Sequence, residues 1–383
     1  MKIQIITVSD IMLGYGSPQI GLFSESLCNF TKMRGMICQP RIPTRKLLEQ
    51  SFQNIILETI ATNIHPHSFA GRQEYIEKCL KIINRICPSI IIITNYSLFG
   101  LIDGLSYKPE KIIHYALEEI PYQHSENKYF YEIKKKIYLE ILRRQSQMVD
   151  IWIFPEFNRA KNDAYHLYVN YEKIFIFFNL FKIDKSSCLR QRNERILYAG
   201  TLDFDTSIAK IIFDKEIASF PIDVYGDLQG SLESRKILSQ KINYLEDNVQ
   251  GKYKLKWYGQ IPIELLNQLL QTYAFSLVYW IPNSYERLNA APNKFFQAIL
   301  LDVPVITAPH PQPKMLIERY GCGLVMKDWE KKSLITTLKL AESLMLTPQY
   351  EEMVENCRSA KFKELSWEVQ MNKFTQRFNV KDW

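Results

Sequence analysis

Apolar residues in the first half of the chain gather into short aliphatic runs separated by segments of helical period. Strands are predicted at 2–9, 89–94, the start of 111–121, 150–154 and 174–178, and helices at 20–33, 72–86, 127–148 and 156–168. Strands that alternate with helices form a parallel sheet with helices on both faces. The pattern therefore predicts an α/β, Rossmann-like domain over residues 1–180.

A second α/β series follows the polar, basic segment 181–194, which has no periodicity and predicts a linker. Strands are predicted at 196–200, 221–227, 255–262, 275–280 and 303–307, and helices from 206, at 232–245, at 263–272, from 292, and before Gly321 and Gly323. This series predicts a second Rossmann-like domain over residues 195–366. In the tail 367–383, Trp367, Met371 and Phe374 are spaced for one buried helix face.

The composition is that of a folded protein with two ordinary domains. The 383 residues are 46% hydrophobic and 23% charged, which excludes wholesale disorder. The formal charge of +7 is spread over both halves, whereas nucleic-acid binders concentrate their charge on one face. The basic clusters 134–136 and 143–144 share one predicted helix, which fits either a contact with anionic lipid heads or an ordinary solvated face.

The expected compartment is the cytoplasm. The seven cysteines form no Cys-x-x-Cys pair, which indicates reduced thiols. No apolar run approaches the roughly 18 residues of a membrane span, and the N-terminal segment has the pattern of a strand rather than of a signal peptide. The protein is therefore expected in the cytoplasm or, through its basic helix, at the inner face of the membrane.

The helix that begins at Pro292 carries the first candidate chemistry. Proline is suited to the first helical turn, which would leave the N–H groups of Asn293, Lys294 and Phe295 directed into the preceding loop. A helix N-terminus beside a lysine favours a phosphate or a pyrophosphate. An ordinary helix with a solvated lysine is the alternative that this local pattern leaves open.

The run PNKFFQAILLDVPVI (292–306) resembles the donor-nucleotide segment of GT-B glycosyltransferases of the group 1, GT4-like superfamily. Its Lys-Phe-Phe-Gln portion is similar to that of bacterial exopolysaccharide glucuronosyltransferases. The resemblance implies two Rossmann-like domains that face a cleft, with a C-terminal helix crossing back to the N-terminal domain. It also implies that the N-terminal domain binds the acceptor and that the C-terminal domain binds a nucleotide sugar.

The segments YAGT, VYG, WYGQIP and GCGLVM extend this resemblance over the second half of the chain. In the roles that the family implies, Gln297 meets the ribose, Lys294 holds the diphosphate, and Glu286 and Arg287 approach the donor sugar. The donor-binding residues expected from the resemblance and from the glycine loops are Gly16, Gly200, Thr201, Lys210, Gly226, Tyr258, Gly259, Pro262, Arg287, Asn293, Lys294 and Gln297. Tyr258, Gly259 and Pro262 would lie along the base.

The chain departs from the family pattern at several of these positions. Gln297 stands where the family has an acidic residue, and Thr201 stands where it has an arginine, with Lys210 as the candidate for a nearby lysine. Glu286 is the only acid in its loop, so the family's pair of glutamates is not reproduced. Leu117 occupies the place of a histidine before the adjacent acids 118 and 119.

The candidate catalytic residues are Glu286, Asp10, Glu118 and Glu119. An inverting transfer needs a base such as Asp10, Glu118 or Glu119 at the acceptor hydroxyl, whereas a retaining transfer needs none, and the sequence leaves both open. Asp203-Phe204-Asp205 resembles the metal-binding Asp-x-Asp of another glycosyltransferase fold, but no metal and no cofactor are expected. His65 and His67 are interpreted as an isolated pair of loop histidines.

These observations predict a metal-independent hexosyl- or glycosyltransferase that moves a sugar from a nucleoside diphosphate sugar, such as a UDP-sugar, to a hydroxyl of a glycan or lipid-linked acceptor. Biosynthesis of a surface polysaccharide or glycoconjugate is the expected setting. The alternatives are a non-catalytic nucleotide-sugar-binding partner protein and a nucleotide-sugar epimerase of the same fold. The chain contains no G-x-S-x-G, H-E-x-x-H or P-loop motif, which removes the commonest hydrolase and kinase functions.

Overall fold

The structure is a computed structural model that describes residues 2–15, 17–47, 52–117, 128–182, 192–204, 207–246 and 253–383, with the backbone alone for 128–134 and 246. The chain forms two compact units. Unit 1 comprises Met1–Phe181 and Gln370–Trp383, and unit 2 comprises Lys182–Val369. Each unit has its own sheet and its own hydrophobic core.

Unit 1 is built on a seven-stranded parallel sheet in the order β3-β2-β1-β4-β5-β6-β7. The strands are β1 (Ile3–Val8), β2 (Arg34–Pro40), β3 (Ile55–Ile60), β4 (Ile90–Ile93), β5 (Lys111–Tyr115), β6 (Ile151–Phe154) and β7 (Ile174–Ile176). The helices are α1 (Gln19–Thr31), α2 (Phe69–Ile86), α3 (Gly100–Asp103), α4 (Lys128–Ser146) and α5 (Phe157–Leu167). All four residues of β4 are buried, as expected of a strand covered by helices on both faces.

Two strands of this sheet lie in a region for which the pattern predicted no element. β2 has Gly35 as its second residue and ends with Pro40, and both are residue types that strands usually avoid. β3 forms the edge of the sheet and is only partly buried. Neither strand therefore has the continuous aliphatic character of β4.

Unit 2 is built on a six-stranded parallel sheet in the order β12-β10-β8-β13-β14-β15. The strands are β8 (Asn193–Ala199), β9 (Leu202–Asp203), β10 (Ile222–Tyr225), β11 (Leu228–Gln229), β12 (Lys256–Trp257), β13 (Tyr273–Val278), β14 (Val305–Thr307) and β15 (Gly323–Val325), of which β9 and β11 pair separately. The helices are α6 (Ala209–Ile212), α7 (Leu232–Glu246), α8 (Ile263–Leu270), α9 (Tyr285–Leu288), α10 (Asn293–Leu300), α11 (Pro311–Tyr320), α12 (Lys331–Leu344) and α13 (Pro348–Lys363).

Several predicted bounds in unit 2 are wrong by a few residues. The helix predicted from 206 is a single turn that begins at Ala209, and the strand predicted to reach Trp280 ends at Val278. Gly321 ends α11 in the left-handed conformation, whereas Gly323 belongs to the next strand. These differences arise because terminal residues of a strand or helix have the same hydrophobic character as their flanks.

The last helix, α14 (Trp367–Arg377), begins with residues of unit 2, and its residues from Gln370 onward belong to unit 1. Trp367, Met371 and Phe374 are buried, which confirms the predicted apolar face. The Phe374 ring packs edge-on against Phe23 at 5.2 Å and against Phe175 at 5.4 Å, measured between ring centroids. The chain thus returns to unit 1 through aromatic packing.

We expect Phe374→Ala to lower the free energy of unfolding of unit 1 by about 3–5 kcal/mol, because it leaves a cavity among aromatic rings. The matched control is Phe362→Ala on α13, whose side chain is 78% exposed and should matter little. Urea unfolding followed by fluorescence measures both variants. Equal stability of the two variants would show that α14 contributes nothing to unit 1.

Within the part of the chain that the structure describes, we find no helix whose length and apolarity would suffice to cross a bilayer.

Candidate functional site

The order of the strands in unit 2 reverses between β8 and β13, and ligands of open parallel sheets bind beyond the carboxyl ends of the strands at such a reversal. Five of the predicted donor-binding residues follow strands at this edge. Gly200 and Thr201 follow β8, Gly226 follows β10, and Tyr258 and Gly259 follow β12. The sheet therefore brings together residues that are nearly 60 positions apart in the sequence.

The three glycines of this edge allow the backbones of adjacent strands to approach closely. Gly200 donates its N–H to the carbonyl of Tyr225 at 3.0 Å, and Gly226 donates to the carbonyl of Gly259 at 2.8 Å. Gly226 has a φ of +149°, and a Cβ atom there would lie 1.8 Å from the carbonyl oxygen of Gly200. The Tyr258 ring stacks on Tyr225 at 4.9 Å, leaving a half-exposed aromatic face beside the glycines.

The start of α10 differs from its prediction in one respect. Pro292 precedes the helix as its N-cap, with extended backbone, and is not part of the first turn. Its carbonyl oxygen accepts the N–H of Phe295 at 3.1 Å, so this N–H is not directed into the loop as predicted. Asn293 is exposed and Lys294 is half-buried at the first two positions of the helix.

Lys294 belongs to a chain of side-chain hydrogen bonds that joins α10 to α8. Its ammonium donates to Oε1 of Gln297 at 3.0 Å, and Nε2 of Gln297 donates to Oδ1 of Asn267. Gln297 is almost fully buried, and Pro262 is the N-cap of the helix that carries Asn267. Burial lowers the pKa of Lys294 to about 8. The ammonium is thus held by a neutral amide in a poorly solvated place.

Asn267 was not found by sequence reasoning. It lies on α8 between Leu266 and Leu270, which form the buried side of that helix. A single polar residue in an amphipathic helix carries no signal of its own. Its contact with Gln297, 30 residues away, depends on the packing of two helices.

An aromatic stack supports the loop that carries Glu286 and Arg287, which are half-buried on the one-turn helix α9. The His310 ring stacks on Trp280 at 3.6 Å with 17° between the planes. The indole N–H of Trp280 donates to the backbone carbonyl of Arg287. These contacts join the loop after β13 to the loop after β14.

The tautomer of His310 follows from its two neighbours. The indole N–H of Trp329 donates to Nε2 of His310 at 3.3 Å, so Nδ1 carries the proton and donates to the carbonyl of Leu288 at 3.3 Å. Burial lowers the pKa of His310 to about 4. The imidazole is therefore neutral at pH 7 and acts as a spacer with a fixed orientation.

We expect His310 to make unit 2 less stable in acid. Its folded pKa of about 4 lies below the ordinary value of about 6.5, so the unfolded chain binds more protons between these values and stability falls as the pH is lowered. When the pH is lowered from about 7.5 to 5, the free energy of unfolding of the native protein should fall by about 2 kcal/mol more than that of His310→Gln. Urea unfolding at the two pH values measures this difference. Equal losses in both proteins would contradict it, since His114 in unit 1 contributes equally to each.

The remaining predicted site residues lie elsewhere. Lys210 is exposed on α6. Gly16, Glu118 and Glu119 lie outside the described residues. Asp10 lies in unit 1, where it follows β1.

Asp10 stands where the strand order of unit 1 reverses, between β1 and β4. Its carboxylate accepts from the Thr94 hydroxyl at 3.0 Å and from Nδ2 of Asn95 at 2.9 Å, and both of these residues follow β4. Burial raises the pKa of Asp10, while the nearby positive charge of Arg72 opposes the rise. Asp10 is therefore a half-buried, oriented carboxyl group at the edge where open parallel sheets bind ligands.

His67, predicted as one of two isolated loop histidines, lies close enough to Asp10 for each to influence the other. Partial burial and the positive charges of Arg72 and His65 lower the pKa of His67, against the opposing effect of Asp10. Gly71 lets α2 approach this loop, because a Cβ atom there would lie 2.1 Å from the His65 carbonyl oxygen. Sequence reasoning missed this cluster because Asp10 and His67 are 57 residues apart.

Comparison with known proteins finds similarity in structure only. No protein-family model matches the sequence, and no curated protein sequence is similar to it. Among solved structures, the chain superposes on the lipopolysaccharide outer core galactosyltransferase WaaB in its apo form, with a TM-score of 0.65, 15% identity and complete coverage of both chains. Sucrose-phosphate synthase from Thermosynechococcus elongatus gives a TM-score of 0.71 at 13% identity, covering 99% of this chain and 98% of that one.

A third similar structure is Anabaena HepE in complex with UDP and glucose, with a TM-score of 0.65 and 13% identity over 98% of this chain and 99% of HepE. These structures match the chain over both Rossmann-like units. The chain has the GT-B fold. Its GT-B architecture agrees with the resemblance found in the segment 292–306, while the similarity of Lys-Phe-Phe-Gln to glucuronosyltransferases stays a prediction.

Proposed function

We propose that this GT-B protein is a glycosyltransferase that moves a sugar from a nucleoside diphosphate sugar to a hydroxyl of a glycan or lipid-linked acceptor. The observation that carries the proposal is the hydrogen-bonded chain Lys294–Gln297–Asn267 at the start of α10. A setting in surface polysaccharide or glycoconjugate biosynthesis, in the cytoplasm or at the inner face of a membrane, belongs to the same proposal.

The environment of Lys294 favours an anionic guest. Its ammonium is partly desolvated, and its hydrogen-bond partner, Gln297, supplies no neutralising charge. A diphosphate would supply that negative charge. The adjacent helix N-terminus carries a partial positive charge, as Lys294 does, and would attract the same diphosphate. In the transfer reaction, these groups and Arg287 would stabilise the charge that develops on the departing diphosphate, without a metal ion.

We propose a different role for Gln297 from the one that the resemblance implies. Its amide already accepts from Lys294 and donates to Asn267, and the residue is only 2% exposed. We therefore assign Gln297 to positioning Lys294 rather than to contacting the ribose. Tyr258, stacked on Tyr225 and half-exposed, offers a flat apolar face on which a nucleotide base could stack. UDP, which is present in the HepE structure, is the first nucleotide to test.

On the acceptor side, the cluster at the reversal of the unit 1 sheet offers groups that bind hydroxyls. The Asp10 carboxylate can accept a hydroxyl proton, and Asn95 holds that carboxylate in place. Nη1 of Arg72 is buried and has no hydrogen-bond partner among the residues that the structure describes, so it can donate to a ligand oxygen. We propose this cluster as the place where unit 1 binds the acceptor.

A thermal-shift screen against UDP, GDP, ADP and their glucose conjugates, with and without EDTA, tests the donor site. A ligand at 100 times its Kd should add about 2.7 kcal/mol to the stability of unit 2. We expect one nucleotide to stabilise the protein equally in EDTA, and its sugar conjugate to release free nucleotide when incubated with the protein and an acceptor mixture. Stabilisation without any turnover would instead favour the non-catalytic partner, and no stabilisation would overturn the proposal.

A further inference from the structure

Helices α4 and α5 pack against each other, and both contribute to the hydrophobic core of unit 1. The inward residues include Leu139 and Leu142 from α4, and Ala164 and Leu167 from α5. The opposite sides of both helices are turned away from this core. Together they form one continuous outer surface, which we call the α4–α5 surface.

The α4–α5 surface exposes more large apolar side chains than is usual for a helix surface that faces water. On α4, Ile137 is 57% exposed and Ile141 is 41% exposed, and Met148, just past the end of the helix, is 47% exposed. Ile137 and Ile141 are four residues apart, so they lie above one another on one side of the helix. This stripe is the reverse of the pattern expected of a water-facing helix side.

Tyrosines extend this surface beyond α4. Tyr165 on α5 is 74% exposed, and Tyr168, which ends α5, is 68% exposed. The Tyr168 ring lies 4.4 Å from the guanidinium of Arg143, so α4 and the end of α5 are joined at the surface. Tyrosine has an apolar ring and a polar tip, which suits the boundary between water and a membrane.

Basic residues surround the apolar stripe. Lys136 and Lys161 are exposed on α4 and α5. Arg144 is 69% exposed and donates to Asp103 at 2.8 Å at the margin of the surface. Glu140 is an acidic residue on the same side, and it is paired with Arg143. A surface of this kind, apolar in the middle and basic around it, complements anionic lipid heads above acyl chains.

We propose that the α4–α5 surface docks unit 1 onto an anionic lipid bilayer, with Ile137 and Ile141 entering the boundary between headgroups and acyl chains. The surface differs from the one expected from the basic clusters alone, since Arg143 and Arg144 are engaged with neighbouring acids and the apolar residues supply the contact. The docking proposal rests on the proposed function only for its purpose, which would be to bring the protein to a lipid-linked acceptor.

Co-sedimentation of the full-length protein with vesicles tests this proposal. We expect binding to vesicles of phosphatidylglycerol and phosphatidylcholine, weaker binding in high salt, and little binding to phosphatidylcholine alone. The double substitution Ile137→Asp and Ile141→Asp should lower the bound fraction at least about ten-fold, because each aspartate opposes insertion and adds negative charge. The matched control is Ile64→Asp, since Ile64 is 50% exposed in unit 1 but outside this surface.

Each outcome decides the proposal. It is overturned if the native protein does not sediment with anionic vesicles, or if the double variant binds as well as Ile64→Asp. Sedimentation velocity without lipid identifies the competing occupant: if the double substitution breaks a dimer and vesicles bind neither protein, the surface joins two copies of the chain. Nucleotide binding, measured by thermal shift in the same preparations, separates the two proposals. If the protein binds vesicles but no nucleotide, only the glycosyltransferase proposal is overturned.

Discussion

Lys294→Met should weaken the binding of the nucleoside diphosphate at least about 100-fold, because charge-assisted contacts to a diphosphate are worth about 3 kcal/mol. The same substitution should not lower the melting temperature of unit 2. Burial lowers the pKa of Lys294 to about 8, which means that the charged ammonium destabilises the folded protein. Methionine has a similar length and no charge, so the substitution removes this destabilisation. Isothermal calorimetry and a melting curve measure the two effects.

The matched control for this variant is Lys314→Met. Lys314 lies in the first half of α11, is about half-exposed, and is 3.8 Å from Glu318. It should keep the affinity of the native protein for the nucleotide. A large loss of stability in Lys294→Met, or equal affinities of the two variants, would contradict the assignment of Lys294 to the diphosphate.

Gly226→Ala should destabilise unit 2 by about 4 kcal/mol or more, which is an exceptional loss for one methyl group. The φ of +149° is unfavourable for alanine, and the new Cβ would lie 1.8 Å from the carbonyl oxygen of Gly200. The ends of β8 and β10 would have to separate, and nucleotide binding should be lost with them. Urea unfolding and a nucleotide thermal shift measure both consequences.

Gly100→Ala provides the control for a glycine with room around it, because the nearest atom that its Cβ would meet among the described residues is Cδ1 of Ile76 at 3.6 Å. We expect this variant to remain within about 1 kcal/mol of the native protein and to bind nucleotide normally. If Gly226→Ala behaves in the same way, the close approach of the strands at this edge is not required by the fold.

How far the sequence predicts the fold depends on how each element is buried. β4 is aliphatic throughout and covered on both faces, so its strand character is visible in its residues. β2 and β3 were missed because their stability comes from pairing with β1 and with each other rather than from a continuous apolar run. Strand pairing of this kind depends on distant partners and leaves little trace in the local pattern.

The sequence points to those residues of the candidate site that have a local signature, and not to those whose contacts depend on distant partners. Lys294 and the three glycines were visible because a helix start and strand-following glycines have local signatures. The partner of Gln297, Asn267, and the partners of His310, Trp280 and Trp329, became visible only when the loops and helices that carry them packed together. The role that we propose for Gln297 differs from the one that the resemblance implies, because both ends of its amide are already engaged.

Unit 1 is assembled from two separate parts of the chain, 1–181 and 370–383, with all of unit 2 between them. A ribosome therefore completes unit 2 before it delivers the residues that finish unit 1. Until then, the apolar side of Phe23 and Phe175 lacks the Phe374 ring that covers it in the folded protein. During synthesis, the unit that begins before unit 2 is thus completed after it, and until then part of its apolar surface stays uncovered.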